Sequence, residues 1–127
     1  MYRKMLIAND GSPGGGKALA GALELARRLE VGLAMICVEE LPRFPASIGE
    51  ITEAQADAEN VFEKVVASAA KLARAQGIAF ESHIVAGHPV PSIVEFVQRG
   101  GYDLLVVGYM GHSSGRRRSS GMFGINS

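Results

Sequence analysis

The stretch that decides the fold of this chain is MLIANDGS, residues 5–12. Its apolar part is too short for a helix, and polar and turn-forming residues close it, which is typical of a buried strand. Alanine and leucine then recur at helical spacing behind Pro13, a residue that suits the first turn of a helix. We therefore predict a strand at 5–9 and a helix over about 13–30.

Short apolar runs and amphipathic segments continue to alternate as far as residue 107. Three further short apolar runs alternate with two amphipathic segments, in the order 33–38, 51–77, 79–85, 89–100 and 104–107. Continuous hydrophobic strands separated by helices are typical of a parallel sheet that is covered on both faces. The sequence thus predicts an α/β fold with the element order β-α-β-α-β-α-β.

Composition limits the class of protein. The chain has 127 residues, of which 47% are hydrophobic and 20% charged, and this suits a single domain over 1–127. One cysteine excludes a disulfide framework and a multi-cysteine zinc site, and Cys37 lies in an apolar run that predicts a core position. No apolar run approaches the roughly 18 residues of a membrane span, so we expect a cytoplasmic protein with no membrane partner.

The net charge of zero conceals an asymmetry. Residues 1–108 carry ten basic and thirteen acidic side chains, whereas residues 109–127 carry only Arg116, Arg117 and Arg118. The acidic bulk argues against nucleic acid as a partner.

The first turn nearly matches a phosphate-binding motif. Residues 11–17 fit G-x-x-x-x-G-K, but Ala18 stands where the motif needs a hydroxyl for Mg²⁺. We therefore favour a flexible turn that exposes the start of the helix.

A second glycine motif follows the last apolar run. Gly108, Gly111 and Gly121 form G-x2-G-x9-G directly after the predicted strand at 104–107. Glycines at this spacing allow the backbone to approach a phosphate and to surround it with N–H groups. The alternative is that 109–127 is a glycine- and arginine-rich loop or tail without a ligand.

In combination these segments resemble the universal stress protein family. The resemblance covers about 1–121, and its most specific parts are residues 5–12, Val38, the Gly87-His88-Pro89 turn and residues 103–113. It implies a sheet in the order 3-2-1-4 with helices on both faces. It also implies that the fourth helix and fifth strand of the family are missing, which would leave 104–107 as an uncovered edge. Because such an edge favours pairing between chains, we expect a homodimer.

The resemblance to the ATP-binding branch of the family also implies a site. It assigns the ribose to Asp10, the adenine to the backbone of Val38, and the phosphates to the glycine motif. Met122 stands where the family has Ser or Thr, so one phosphate-binding hydroxyl is absent. The ligand would be ATP, with or without Mg²⁺. The expected binding residues are Asp10, Val38, Gly87, Gly108, Gly111, Gly121 and Met122.

Two functions follow as hypotheses. The first is a nucleotide-binding regulatory module that has no catalytic or metal-binding residues of its own and at most hydrolyses ATP slowly. The second is a stress-response interaction protein that binds no nucleotide and acts as a homodimer. The glycine spacing favours the first, whereas Met122 and the short C-terminal end favour the second.

Overall fold

The structure, a computed structural model, describes residues 2–40, 48–108 and 121–124, with side chains for 2–40 and 60–108. Strands and helices alternate until the last strand. Their bounds are β1 Met5–Ala8, α1 Pro13–Leu29, β2 Leu33–Glu40, α2 Ile48–Ala75, β3 Phe80–Gly87, α3 Pro89–Gly100, β4 Leu104–Val107 and β5 Gly121–Gly124.

The strands form one sheet in the order β3-β2-β1-β4-β5. The first four strands pair in parallel, with β1 between β2 and β4. The predicted parallel sheet in the order 3-2-1-4 is therefore confirmed. The central position of β1 explains why the run that opens the chain is fully buried.

The edge of β4 is not uncovered, and that prediction was wrong. β5 pairs with β4 in the antiparallel direction, with Gly121 opposite Val107 and Gly124 opposite Leu104. A parallel fifth strand needs a long crossover, usually a helix, whereas an antiparallel strand can return through a loop. The short segment after Gly108 therefore suffices for β5. With only Met122 and Phe123 between two glycines, β5 left no recognisable strand pattern in the sequence.

Each face of the sheet carries its own apolar core. On one face, α1 and α2 pack through residues such as Leu23 and Ala69 against Ile7 and Met35 of the sheet. On the other face, α3 packs through Val97 against a second set that includes Leu6. The alternation of side chains along β1 therefore supplies both cores. None of the helices in the described ranges is long and apolar enough to cross a membrane.

A carboxylate fastens the amino ends of β1 and β4. Asp103 accepts the backbone N–H groups of Arg3 and Lys4, each at 3.0 Å. Lys4 in turn donates through its Nζ to the carbonyl of Gly100 and lies 4.7 Å from the centre of the Tyr102 ring. These contacts tie the beginning of the chain to the turn between α3 and β4.

Stability should depend on the ionisation of Asp103. The N–H groups of Arg3 and Lys4 lower the pKa of this carboxyl below its ordinary value. Because the pKa in the folded chain lies below that in the unfolded chain, the stabilisation is present above about pH 4 and is lost as the pH falls through the folded value. We expect Asp103→Asn to lower the Tm at pH 7 by more than at pH 3. A constant difference in thermal unfolding between those pH values would contradict this.

Candidate functional site

The carboxyl ends of the parallel strands bring three of the predicted residues to one edge of the sheet. Ala8, the last residue of β1, lies opposite Ile36 of β2 and Val107 of β4. Continuing these registers places Asp10 level with Val38 on one side, and Gly108 directly beside the end of β1 on the other. Ligands of open α/β sheets bind at such an edge, where neighbouring connections leave in opposite directions. Here α1 leaves β1 on one face and α3 reaches β4 from the other.

Asp10 is exposed and begins the turn into α1. Its Oδ1 accepts the N–H of Ser12 at 2.9 Å, and Gly11 between them has a φ of +82°. A carboxylate has about four acceptor positions, so this one bond leaves room for ligand hydroxyls. Only a residue that tolerates positive φ suits the middle of the turn, which explains Gly11.

The glycine-rich start of α1 directs two of its N–H groups to Ser12. The N–H of Gly15 is bound by Oγ of Ser12 at 3.2 Å, which makes Ser12 the N-cap of α1. The N–H of Gly16 donates to the carbonyl of Ser12 at 3.1 Å. Donors that a P-loop would turn towards phosphate are therefore engaged within the turn. That residues 11–18 are not a working P-loop stays a prediction.

Gly108 lies in close contact with the start of α1. It is buried, and a Cβ at this position would lie 2.4 Å from the carbonyl oxygen of Gly14 and 2.9 Å from the Cα of Gly15. Both neighbours are backbone atoms, which cannot rotate away as the end of a side chain could. The first residue of the G-x2-G-x9-G motif is therefore glycine because the ends of β1 and β4 and the start of α1 converge there.

Val38 lies one strand away from β1, and Gly87 lies two strands away. Val38 is half-buried and lies opposite Val85 in β3, while Gly87 lies opposite Glu40 at the end of β3. Strands are about 4.8 Å apart, so β3 is about 10 Å from β1. A Cβ on Gly87 would lie 2.6 Å from Oγ of Ser92, so this glycine fits the turn into α3. The structure gives Gly87 a local role and places it away from Asp10.

The remaining predicted residues lie beyond β4. Gly111 is outside the described residues, as are Arg116, Arg117 and Arg118. Gly121 and Met122 belong to β5, where they lie opposite Val107 and Val106. The second end of the glycine motif thus returns beside its first end, next to Gly108.

Cys37 is a core residue, as its apolar strand predicts. It is fully buried in β2, and burial, followed by the negative charge of Asp10, raises the pKa of its thiol to about 11. The thiol is therefore protonated at neutral pH and is a poor nucleophile. In the described part of the chain, no group of three or more His, Cys, Asp and Glu side chains is placed to hold a metal ion.

Two clefts border the strands of the sheet. One, of about 320 Å³, is lined by Asn9, Gly11 and Ser12 of the β1–α1 turn and by Lys64 and Val65 of α2. The other, of about 610 Å³, lies between β3 and α3 and includes His83, Phe96 and Tyr102. Asp10 and Gly108 line neither cleft. Residues 109–120 lie outside the described part of the chain.

Two residues near Asp10 were not predicted from the sequence to belong to the site. Asn9 is the only buried amide or charged side chain among residues 2–40 and 60–108. Lys64 is an exposed residue of α2 and reaches the cleft beside Gly11. A polar residue after an apolar run did mark Asn9, but its burial depends on the contact with α1. Nothing in the helical pattern distinguishes Lys64 from other polar residues of α2.

Comparisons with known proteins identify the fold and the family. The model of the universal stress protein family matches residues 1–123. A solved structure of a protein from this family, from Burkholderia pseudomallei, is 24% identical, with a TM-score of 0.76 over 85% of this chain and 82% of that one. A search of curated proteins found no significant match.

Two other similar structures contain adenine nucleotides. A universal stress protein in complex with cAMP is 26% identical, with a TM-score of 0.68 over 89% of this chain and 80% of that one. A universal stress protein family protein from Arabidopsis thaliana with AMP bound is 19% identical, with a TM-score of 0.60 over 84% and 76% of the two chains. The family model spans nearly the whole chain, and the sheet has the strand order that the resemblance implied. The chain belongs to the universal stress protein family.

Proposed function

We propose that this chain is a regulatory module that binds an adenine nucleotide at the carboxyl edge of the sheet, between the β1–α1 turn and the end of β4. The observation that carries the proposal is the convergence of Asp10 and Gly108 at this edge. Asp10 offers an exposed carboxylate there, and Gly108 has no room for a side chain. An exposed acceptor for hydroxyls beside the residue that begins a glycine motif suits a nucleoside phosphate.

The similar structures support the class of ligand. The 26% identical protein was solved with cAMP, and the more distant Arabidopsis protein of the same fold was solved with AMP. The two ligands share adenine, a ribose hydroxyl and one phosphate. We therefore place adenine at the backbone of Val38, ribose at Asp10 and phosphate at the N–H groups of the segment that begins at Gly108 and includes Gly111. ATP, with or without Mg²⁺, remains the predicted physiological ligand.

A calorimetric titration of the parent chain with ATP and Mg²⁺, AMP and cAMP tests the proposal. Asp10→Asn keeps an oxygen that can accept the N–H of Ser12. It removes the negative charge that strengthens the hydrogen bonds from the ribose hydroxyls. Hydrogen bonds to charged groups contribute about 1.5–3 kcal/mol, so we expect at least tenfold weaker binding. Asp103→Asn is the matched control, since it makes the same substitution at the amino ends of the strands, and its affinity should equal that of the parent.

A further variant separates the glycine motif from Asp10. Gly111→Val should weaken ATP more than an adenosine control without phosphate, because the side chain obstructs the approach of the phosphates. Absence of heat with all three nucleotides at millimolar concentration would overturn the proposed function. Equal heats for the parent and Gly111→Val would overturn the role of the glycine motif.

The homodimer stays a prediction, but the structure removes the original reason for it. Its original reason was an open edge at β4, and β5 now occupies that edge. The described strands leave β3 at the other edge of the sheet, with eight residues from Phe80 to Gly87. Light scattering at high micromolar concentration distinguishes the expected dimer from a monomer.

A further inference from the structure

Asn9 is held by contacts to three elements at the point where β1 ends. It is 4% exposed, and its N–H donates to the carbonyl of Ile36 in β2 at 3.0 Å. Its side-chain Oδ1 accepts the N–H of Gly11 at 2.9 Å, and its Nδ2 donates to the sulfur of Met35 at 3.6 Å. A Cβ on Gly15 of α1 would lie 2.2 Å from the same Oδ1. The amide is therefore enclosed by β2, the turn and the start of α1.

We infer that Asn9 is a positioning residue that sets the direction of the Asp10 carboxylate by holding the N–H of Gly11. This rests on the proposed function, because it concerns the same nucleotide site. Asp10 lies between the residue that accepts this bond and the residue that donates it. The bond fixes the peptide plane between Asp10 and Gly11, and the bond from Ser12 to Asp10 then fixes the carboxylate. Together the two bonds restrain the backbone of the turn and the carboxylate of Asp10.

The chemistry of an amide suits this position better than the alternatives. The bond from the N–H of Gly11 to Asn9 is partly buried, and a donor without an acceptor is costly, so with an apolar side chain in place of Asn9 this N–H would have to bind water. The peptide that follows Asp10 would then no longer be held in one orientation by the end of β1. A carboxylate would accept the same bond, but it would bury a second negative charge next to Asp10. The neutral amide provides the acceptor without repelling an anionic ligand.

The same amide also sets the spacing between β1 and α1. Because Gly15 has no side chain, its backbone rests against Oδ1 of Asn9, and Gly108 rests against Gly14 and Gly15. The position of Asn9 is thus transmitted to the first residue of the glycine motif. The groups proposed to bind ribose and phosphate are both connected to this one side chain.

Two small substitutions isolate the acceptor. Asn9→Ala and Asn9→Ser both remove most of the side chain and leave a similar gap, but only Ser retains an oxygen that can accept an N–H two residues on. We expect the Ala variant to bind ATP at least tenfold more weakly than the parent and the Ser variant to regain at least threefold. Val97→Ala, in the core of the α3 face, is the control for general destabilisation and should leave the affinity unchanged.

Amide hydrogen exchange in the free chain provides a second measurement that does not depend on a ligand. The N–H of Gly11 should exchange at least tenfold faster in the Ala variant than in the parent, and more slowly in the Ser variant than in the Ala variant. Equal exchange in the parent and the Ala variant would overturn the inference, as would equal affinity of the Ala and Ser variants. If the parent binds no adenine nucleotide, the proposed function fails, and the exchange of Gly11 alone then decides whether Asn9 holds the turn.

Discussion

Gly108→Ala should lower the free energy of unfolding by about 3 kcal/mol, the upper end of the usual cost of overpacking. The added methyl group would lie 2.4 Å from the carbonyl oxygen of Gly14 and 2.9 Å from the Cα of Gly15. Relief requires the end of β4 and the start of α1 to separate, because the obstacles are backbone atoms. In thermal unfolding of a domain of this size, we expect a decrease in Tm of about 10 °C or more.

Gly21→Ala is the matched control for this prediction. It adds the same methyl group to a glycine within α1 that has no atom within 4 Å of the new Cβ. Alanine is favoured over glycine inside a helix by about 0.5–1 kcal/mol, so this variant should be slightly more stable than the parent. A Gly108→Ala variant as stable as Gly21→Ala would mean that the contact between β4 and α1 is looser than described.

Leu6→Ala should lower the free energy of unfolding by about 2–5 kcal/mol, the range measured for leucine in fully buried positions. Leu6 is 0% exposed in the central strand and packs in the core between the sheet and α3. Removing its side chain leaves a cavity between the sheet and α3, which cannot close without moving the helix towards the sheet. The effect should appear as a lower midpoint of denaturant unfolding with an unchanged slope.

The same substitution at an exposed leucine tests whether the loss of stability comes from burial of the side chain rather than from replacing leucine by alanine as such. Leu72 of α2 is 47% exposed, and Leu72→Ala should cost less than about 1 kcal/mol. Comparable midpoints for the Leu6 and Leu72 variants would contradict the assignment of Leu6 to the core.

The order of elements was predictable because the strands of this fold are buried on both faces. Residues 5–8 and 33–37 are continuous apolar runs that are too short to form helices, and turn residues close them. The end of α1 was predicted to within one residue, although Glu30 rather than a glycine adopts the left-handed conformation there, with a φ of 57°. β5 was missed because its pairing depends on the edge that β4 presents, and because only two of its four residues are apolar, whereas the equally short β1 and β4 are continuous apolar runs.

The candidate site was predictable only in outline. The resemblance to the family pointed to Asp10, Val38 and the glycine motif, and the sheet brings Asp10, Val38 and Gly108 to one edge. Gly87, at the edge strand, lies two strands from β1 and has a local reason to be glycine. Met122, expected at the end of a phosphate loop, lies in β5 opposite Val106. Spacing along the chain could not reveal either position.

What the sequence by itself determined is the parallel α/β architecture and, through it, the edge of the sheet where the candidate site lies, because hydrophobic periodicity and turn residues act locally. What only the tertiary structure decided is which atoms meet at that edge. The contact of Gly108 with Gly14, the burial of Asn9 beneath Gly15 and the pairing of β5 with β4 each join segments that are distant in sequence or differently oriented. Such contacts depend on how closely two backbones approach, and that distance is set by the packing of α1 and the sheet as a whole rather than by any one segment.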